Sequence, residues 1–249
     1  ASGGGYYICS GTLIVDSDAS STVPYFLTAH HCISTSGEAS SLETYFDYEA
    51  SCSNPNCTQP YNNTGDTVGS TIMATGTSGD FTLLRLSSAP ATKDGVANYL
   101  GWSSTAVANS NGAHLYRLSH PQGSPQAYSQ QDVDTSKVTC RSLPRGTFIY
   151  SRDITGATEG GSSGSSVLNS SGQIVGQLYG ACGFNLNDVC DSASNATVDG
   201  AFASYFSQVS SFLSGGGGPQ CSAAGASCTS NSQCCSNNCK GRPGGKTCK

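Results

Sequence analysis

The sequence predicts an all-β protein with a small cysteine-rich module at its C-terminal end. Only 11% of the 249 residues are charged, and 31 are glycine. Aliphatic runs are short and interrupted by turn-forming residues, a pattern that favours many brief strands over helices. No long stretch repeats apolar residues at i, i+3, i+4 and i+7, as an amphipathic helix would. The segment Ser214-Gly215-Gly216-Gly217-Gly218-Pro219 reads as a flexible linker with a stiff end. It divides the chain into a body (residues 1–213), a linker (214–220) and a module (221–249).

The body opens with an apolar strand at Tyr7–Val15. Pro24–Ala29 is a second strand and runs straight into two histidines. Phe81–Leu86 is an apolar run that follows Gly79-Asp80, so it enters a buried strand. His114–Leu118, Gln173–Tyr179 and Ala201–Phe206 are further strands by the same apolar character. Val209–Leu213, apolar at 209, 212 and 213, ends the body as one short helix.

Residues 221–249 contain almost no large apolar side chain and cannot build a core, so disulfides must hold them. Cys221, Cys228, Cys234, Cys235, Cys239 and Cys248 follow the spacing C-x6-C-x5-C-C-x3-C-x8-C. That spacing resembles an inhibitor cystine knot. The resemblance implies the pairs Cys221–Cys235, Cys228–Cys239 and Cys234–Cys248.

Charge and cysteine content narrow the function classes. The net charge is −5, and no basic stripe exists, so a nucleic-acid partner is not expected. Residues 221–249 carry Lys240, Arg242, Lys246 and Lys249 and no acid, so the body bears all the negative charge. Thirteen cysteines point to an oxidising compartment, hence to a secreted protein. Such a protein would have shed its signal peptide and any pro-segment before Ala1. No run reaches the roughly 18 apolar residues of a membrane span. The body holds neither H-x-x-x-H nor C-x-x-C spacing, so no metal and no cofactor are expected.

Three segments carry the chemistry. Glu159-Gly160-Gly161-Ser162-Ser163-Gly164-Ser165-Ser166 has the form of a loop that lifts one serine and aims backbone N–H groups at a substrate. Thr28-Ala29-His30-His31-Cys32 supplies a base, and Gly79-Asp80-Phe81-Thr82-Leu83-Leu84 a carboxylate. Peptide hydrolysis needs these roles. A histidine takes the serine proton and returns it to the leaving amine. A carboxylate fixes the imidazole tautomer, and two N–H donors meet the oxyanion.

In these segments the chain resembles the chymotrypsin-fold serine endopeptidases, most closely the bacterial lysyl endopeptidase branch. Cys9-Ser10-Gly11-Thr12-Leu13-Ile14 is similar to the strand carrying the first cysteine of the histidine-loop disulfide. The resemblance implies two six-stranded antiparallel barrels with the active site between them. It implies His31 as base, Asp80 as its carboxylate and Ser163 as nucleophile. It further implies oxyanion donors at Gly161 and Ser163, and a Cys9–Cys32 bridge. His30 is then structural, since neighbours on a strand face opposite ways. His114 and His120 carry no local motif and are expected to be structural too.

Ser162 stands where the animal branch has the aspartate that pairs with the new N-terminus on activation. The resemblance therefore implies that this ion pair is missing here. The body has seven cysteines: Cys9, Cys32, Cys52, Cys57, Cys140, Cys182 and Cys190. One must remain over. Cys182–Cys190 with Cys52–Cys57 would leave Cys140; Cys140–Cys182 or Cys140–Cys190 would leave another.

By resemblance, the pocket for the residue before the scissile bond is walled by Ala157–Gly160, Tyr179–Cys182 and Asn195–Gly200. Tyr179 and Gly180 would pair with the substrate backbone, and Asp199 and Gly200 would line the pocket. Thr197 occupies the place of the carboxylate of the lysine-selective branch. Asp199 lies two residues on, with the same strand parity. A buried charge without a basic partner is costly, so an uncharged pocket for apolar or small residues is expected. A trypsin-like or lysyl-type pocket that uses Asp199 is the alternative, and a non-catalytic binding protein on the same scaffold is another. Expected partners are protein or peptide substrates, with a matrix, surface or protein target for the module; a monomer is expected.

Overall fold

The computed structural model describes residues 5–18, 21, 23–50, 67–90, 97–214, 239–241 and 246–248. The N-terminal half contains β1 (Thr12–Leu13), β2 (Tyr25–Ala29), α1 (Ser36–Ser40), β3 (Glu43–Thr44), β4 (Thr67–Val68), β5 (Ser70–Gly76) and β6 (Phe81–Leu86). Among the described residues β1, β2, β6 and β5 form one antiparallel sheet of four strands, and β3 pairs separately with β4. Both faces of β2 are buried. Tyr25 and Leu27 enter one apolar cluster and Phe26 another, as alternation along a strand requires. The β2–β6 register sets Ala29 opposite Phe81. The next residues, His30 and Asp80, therefore meet at the rim of this sheet.

The C-terminal half closes completely. β7 (His114–Ser119), β8 (Ala127–Val133), β9 (Phe148–Thr155), β10 (Ser166–Leu168), β11 (Ile174–Gly183) and β12 (Asn195–Ala201) form a six-stranded barrel in the order β10-β11-β12-β9-β8-β7. Closure removes every unpaired edge along the shared ladders. Leu115, Val133, Ile149, Val167, Val175 and Ala201 pack together in one apolar cluster. The chain then continues into α2 (Phe202–Leu213). Phe202, Tyr205, Val209 and Leu213 of α2 pack with Ile14, Leu27, Phe81 and Ile174, so the helix joins the two halves.

Two sequence expectations are corrected here. The expected strand Ala201–Phe206 and the short helix Val209–Leu213 are one helix of 12 residues. Apolar residues 202, 205, 206, 209, 212 and 213 recur with helical period, and burial of that stripe decides the conformation. The expected strand Tyr7–Val15 shrinks to Thr12–Leu13. Tyr6, Tyr7 and Ile8 are 89%, 75% and 60% exposed, and among the described residues no strand pairs with them.

Cys9 is bonded to Cys32, and Cys140 to Cys182, which leaves Cys190 free and exposed. Cys52 and Cys57 lie outside the described residues, as do Cys221, Cys228, Cys234 and Cys235 of the proposed knot. Within residues 221–249, β13 (Cys239–Lys240) pairs antiparallel with β14 (Thr247–Cys248). No helix among the described residues is long and apolar enough to cross a membrane.

Candidate active site

His31 follows β2 directly, and the Cys9–Cys32 disulfide pins the turn that carries it. Its Nδ1 lies 2.7 Å from Asp80 Oδ2, and its backbone N–H donates to Asp80 Oδ1 at 3.0 Å. A carboxylate beside Nδ1 places the hydrogen there and leaves Nε2 as the free acceptor. The Asp80 side chain is 6% exposed and that of His31 38%, so the acid is sequestered and the ring meets solvent. Tyr179 sets its ring edge-on to His31, with centroids 5.7 Å apart. His30 turns the other way, its Nδ1 2.8 Å from Thr75 Oγ1.

Asp80 sits in a tight turn with two successive positive φ angles, +81° at Gly79 and +51° at Asp80. The turn is held from the opposite half of the molecule. Gln177 Nε2 on β11 donates to the carbonyls of Gly79 (2.7 Å) and Asp80 (3.1 Å). The Tyr205 hydroxyl of α2 donates to Gln177 Oε1. Gly200 belongs to this contact. A Cβ there would lie 1.8 Å from the Gly79 carbonyl oxygen, so only glycine allows the aspartate turn to rest on β12. The expected pocket residue Gly200 is thus buried beneath Asp80.

Ser163 lies in the loop before β10. Gly164, with φ +81°, lets this loop lie against the end of β2; a Cβ would lie 2.3 Å from Thr28 Oγ1 and 2.8 Å from Ala29 N. The Ser163 loop and the His31 turn are therefore neighbours. Among the described residues neither Ser163 Oγ nor His31 Nε2 makes a hydrogen bond. The backbone N–H groups of Gly161 and Ser163 likewise donate to no described acceptor.

The expected pocket walls separate into two kinds. Tyr179 and Gly180 are half-buried; Tyr179 is the extra residue of a bulge between Leu178 and Gly180 on β11. Beyond Gln177, β11 extends past its partner β10. Asp199, by contrast, is fully buried in an ion pair, its Oδ1 2.5 Å from Arg117 Nη2. Arg117 Nη1 also donates to Ser165 O and Oγ. Burial raises the Asp199 carboxyl, and the Arg117 guanidinium opposes the rise. Asp199 has no surface to offer a substrate. Thr197 is also buried, its hydroxyl donating to Asp153 Oδ1 at 2.8 Å.

A cavity of about 440 Å³ lies elsewhere, against the Cys140–Cys182 disulfide between Lys137, Val138 and Phe184; it includes none of His31, Asp80 or Ser163. Among the described residues no three His, Cys, Asp or Glu side chains gather as a metal site would. Sequence reasoning missed Ser10, Gln177 and Arg117 as supports of the site. Each left a signal: a polar residue inside or beside a run otherwise fit for a buried strand.

A histidine–aspartate pair lies at the rim of a β-sheet, beside a glycine-rich serine loop from a closed barrel, in a fold that a protease-related chain also has. The scabies mite inactivated protease paralogue S-I1 shares it, with a TM-score of 0.53 at 14% identity over 82% of this chain and 88% of that one. That likeness is one of fold alone. The family model described as lysyl endopeptidase, C-terminal domain, matches residues 1–195, and the chain belongs to this family. The lysyl endopeptidase of Pseudomonas aeruginosa is 33% identical over 219 residues, which are 84% of this chain and 44% of that protein. The chain thus spans less than half the length of that relative.

Proposed function

We propose that the body is the catalytic domain of a secreted serine endopeptidase. The observation that carries the reading is the His31–Asp80 contact, made through both the ring and the backbone N–H. In the proposed mechanism Ser163 Oγ attacks the carbonyl carbon of the scissile peptide while His31 Nε2 takes the hydroxyl proton. Asp80 stabilises the imidazolium so formed. The N–H groups of Gly161 and Ser163 receive the oxyanion. His31 then protonates the leaving amine as the C–N bond breaks, and a water molecule reverses the sequence to release the acyl group. The substrate backbone pairs with the Tyr179–Gly180 edge of β11 as an added strand.

The proposal extends to the architecture: the four-stranded N-terminal sheet is the described part of a second barrel. Residues 214–220 link the body to a cystine-knot-like module at 221–249, with a matrix, surface or protein target. For the residue before the scissile bond we propose an apolar or small side chain. Thr197 offers no charge, and Asp199 is neutralised by Arg117. The name of the Pseudomonas aeruginosa relative favours a second reading, cleavage after lysine.

A fluorophosphonate probe on native protein tests the activity. Labelling of the wild type and none of Ser163→Ala is expected; equal labelling of both, or none of folded wild type, would leave a non-catalytic binding protein. Digestion of a denatured protein mixture tests the specificity, and consistent cuts after lysine would replace the apolar reading.

A further inference from the structure

Ser10 touches more of the proposed machinery than any triad member does. It follows Cys9, whose disulfide partner Cys32 adjoins His31. It is only 6% exposed, and all its polar atoms are engaged. Its N–H donates to the Ser163 carbonyl at 2.7 Å. Its own carbonyl accepts the Thr28 hydroxyl at 2.9 Å. Its Oγ donates to the Gly161 carbonyl at 2.9 Å and accepts the His120 N–H at 3.1 Å.

These bonds fix the loop peptide by peptide. The Gly160 carbonyl accepts the Gln122 N–H at 2.6 Å, and the Ser162 carbonyl accepts the Ser165 N–H at 3.0 Å. In a trans peptide the C=O and N–H point to opposite sides. Anchoring the carbonyls of Gly160 and Ser162 therefore aims the N–H groups of Gly161 and Ser163 away from Gln122 and Ser165, to a side where they find no described acceptor. The intervening Gly161–Ser162 peptide is held at both ends. Ser10 Oγ holds its carbonyl, and the Glu159 carbonyl accepts its N–H at 3.0 Å. Gly161, at φ +95°, packs so tightly that a Cβ would lie 2.7 Å from the His120 carbonyl oxygen. Glycine is also the residue whose flanking peptides rotate most freely, so the loop needs these anchors. The Ser162 hydroxyl accepts from the Ser119 hydroxyl at 3.1 Å and from the Glu159 N–H at 3.4 Å, both uncharged groups.

We propose that Ser10 is a positioning residue for the oxyanion donors. Its hydroxyl bridges the His120 backbone to Gly161 and holds the donor pair ready without an ion pair at Ser162. The proposal rests on the serine endopeptidase reading and adds to it how the loop stays active. The bridge acts through backbone orientation, so it bears on the transition state more than on substrate binding.

The test compares the full chain with Ser10→Ala and with Ser70→Ala, which deletes a similar buried hydroxyl-to-carbonyl bond (Ser70 Oγ to Ala39 O, 2.8 Å) far from the loop. With a chromogenic peptide substrate, Ser10→Ala should lower kcat roughly 10- to 100-fold, within the effect of losing one oxyanion donor outright. KM should stay within about threefold, the sign of an interaction made mainly in the transition state. Affinity for a peptide aldehyde, which forms an oxyanion on attack, should fall in parallel with kcat. Hydrogen exchange over residues 157–165 should quicken in Ser10→Ala and not in Ser70→Ala. Unchanged exchange there, or a kcat loss no greater than that of Ser70→Ala at matched melting temperature, would overturn the proposal. Wild-type protein that shows no Ser163-dependent turnover would instead sink the protease reading, and the exchange measurement still decides the role of Ser10.

Discussion

Gln177 holds Asp80 from across the molecule: one side-chain amide donates to the Asp80 carbonyl at 3.1 Å and to that of Gly79 at 2.7 Å. Gln177 is fully buried, as is Tyr205, whose ring stacks on Phe81 at 4.1 Å. The proposed acid thus sits in an N-terminal turn but takes its backbone support from the C-terminal barrel and helix.

Replacing Gln177 with leucine should disturb both stability and turnover. A buried carbonyl left without a donor costs about 1–3 kcal/mol, and one of the two carbonyls, that of Asp80, keeps the His30 N–H at 2.9 Å. A loss of roughly 2–3 kcal/mol by urea denaturation is therefore expected. Tyr205→Phe keeps both amide-to-carbonyl bonds and should retain most of kcat/KM. Equal activity losses in the two variants would mean that the amide does not hold the Asp80 turn.

Arg117 and Asp199 form a fully buried ion pair inside the barrel. Breaking a buried pair strands a charge, at a cost of about 3–5 kcal/mol, whereas replacing both partners with apolar groups is often neutral. Arg117→Met should destabilise strongly, and Arg117→Met with Asp199→Leu should recover much of the loss. The orphaned Arg117 Nε and Asp199 Oδ2 add to that expectation, because the pair is incompletely satisfied. Whichever variants fold should keep the wild-type ratio of cleavage after apolar and after basic residues. A ratio shifted by Asp199→Asn would show that this carboxylate does reach the substrate.

Sequence made some parts of this molecule readable and hid others for definite reasons. Phe81–Leu86 was plain because all of it but Arg85 is buried, so four of its six residues are large and apolar. The residues His31, Asp80 and Ser163 stood out through their flanks: a cysteine, a glycine before an apolar strand, and a glycine loop. The strand Ala127–Val133 was missed because its buried positions include Ser129 and Gln131, which the barrel interior accepts and alternation rules read as solvent-facing. Asp199 was legible as a buried charge needing a partner, but Arg117 lies 82 positions away in sequence. Gln177 and Ser10 act on backbone carbonyls, and no side-chain motif records such a target.

His120 should make stability fall in mild acid. Burial lowers its pKa, opposed by the Ser124 carbonyl, 3.0 Å from Nδ1. Its ring also stacks on Tyr48, with centroids 5.8 Å apart. An unfolded histidine titrates near about 6.5. Below that pH the unfolded chain takes up a proton that folded His120 refuses, so stability falls with falling pH until the depressed folded pKa is reached. The slope contributed by this one group is at most about 1.4 kcal/mol per pH unit. Subtracting the stability of His120→Gln from that of wild type isolates it from the other histidines. The difference should decline in favour of the variant between pH 7 and pH 5 (roughly one unit either side of the free value). A flat difference would mean that His120 titrates as a free histidine does.

The unpaired cysteine gives the last expectation. Cys140 and Cys182 close a loop of 42 residues and tie the β8–β9 connection to β11 just beyond Tyr179. Chain-entropy estimates for a loop of that size come to roughly 4 kcal/mol, and removal of native bridges commonly costs about 2–5 kcal/mol. Cys140→Ala with Cys182→Ala should therefore unfold at clearly lower denaturant concentration. Cys190→Ser should behave as wild type, because an exposed thiol contributes no packing. Maleimide labelling of native, unreduced protein followed by peptide mapping should mark Cys190 and spare Cys140 and Cys182. Labelling at Cys140 would instead indicate the local Cys182–Cys190 bridge. That bridge would untie the β8–β9 connection from the strand proposed to receive the substrate.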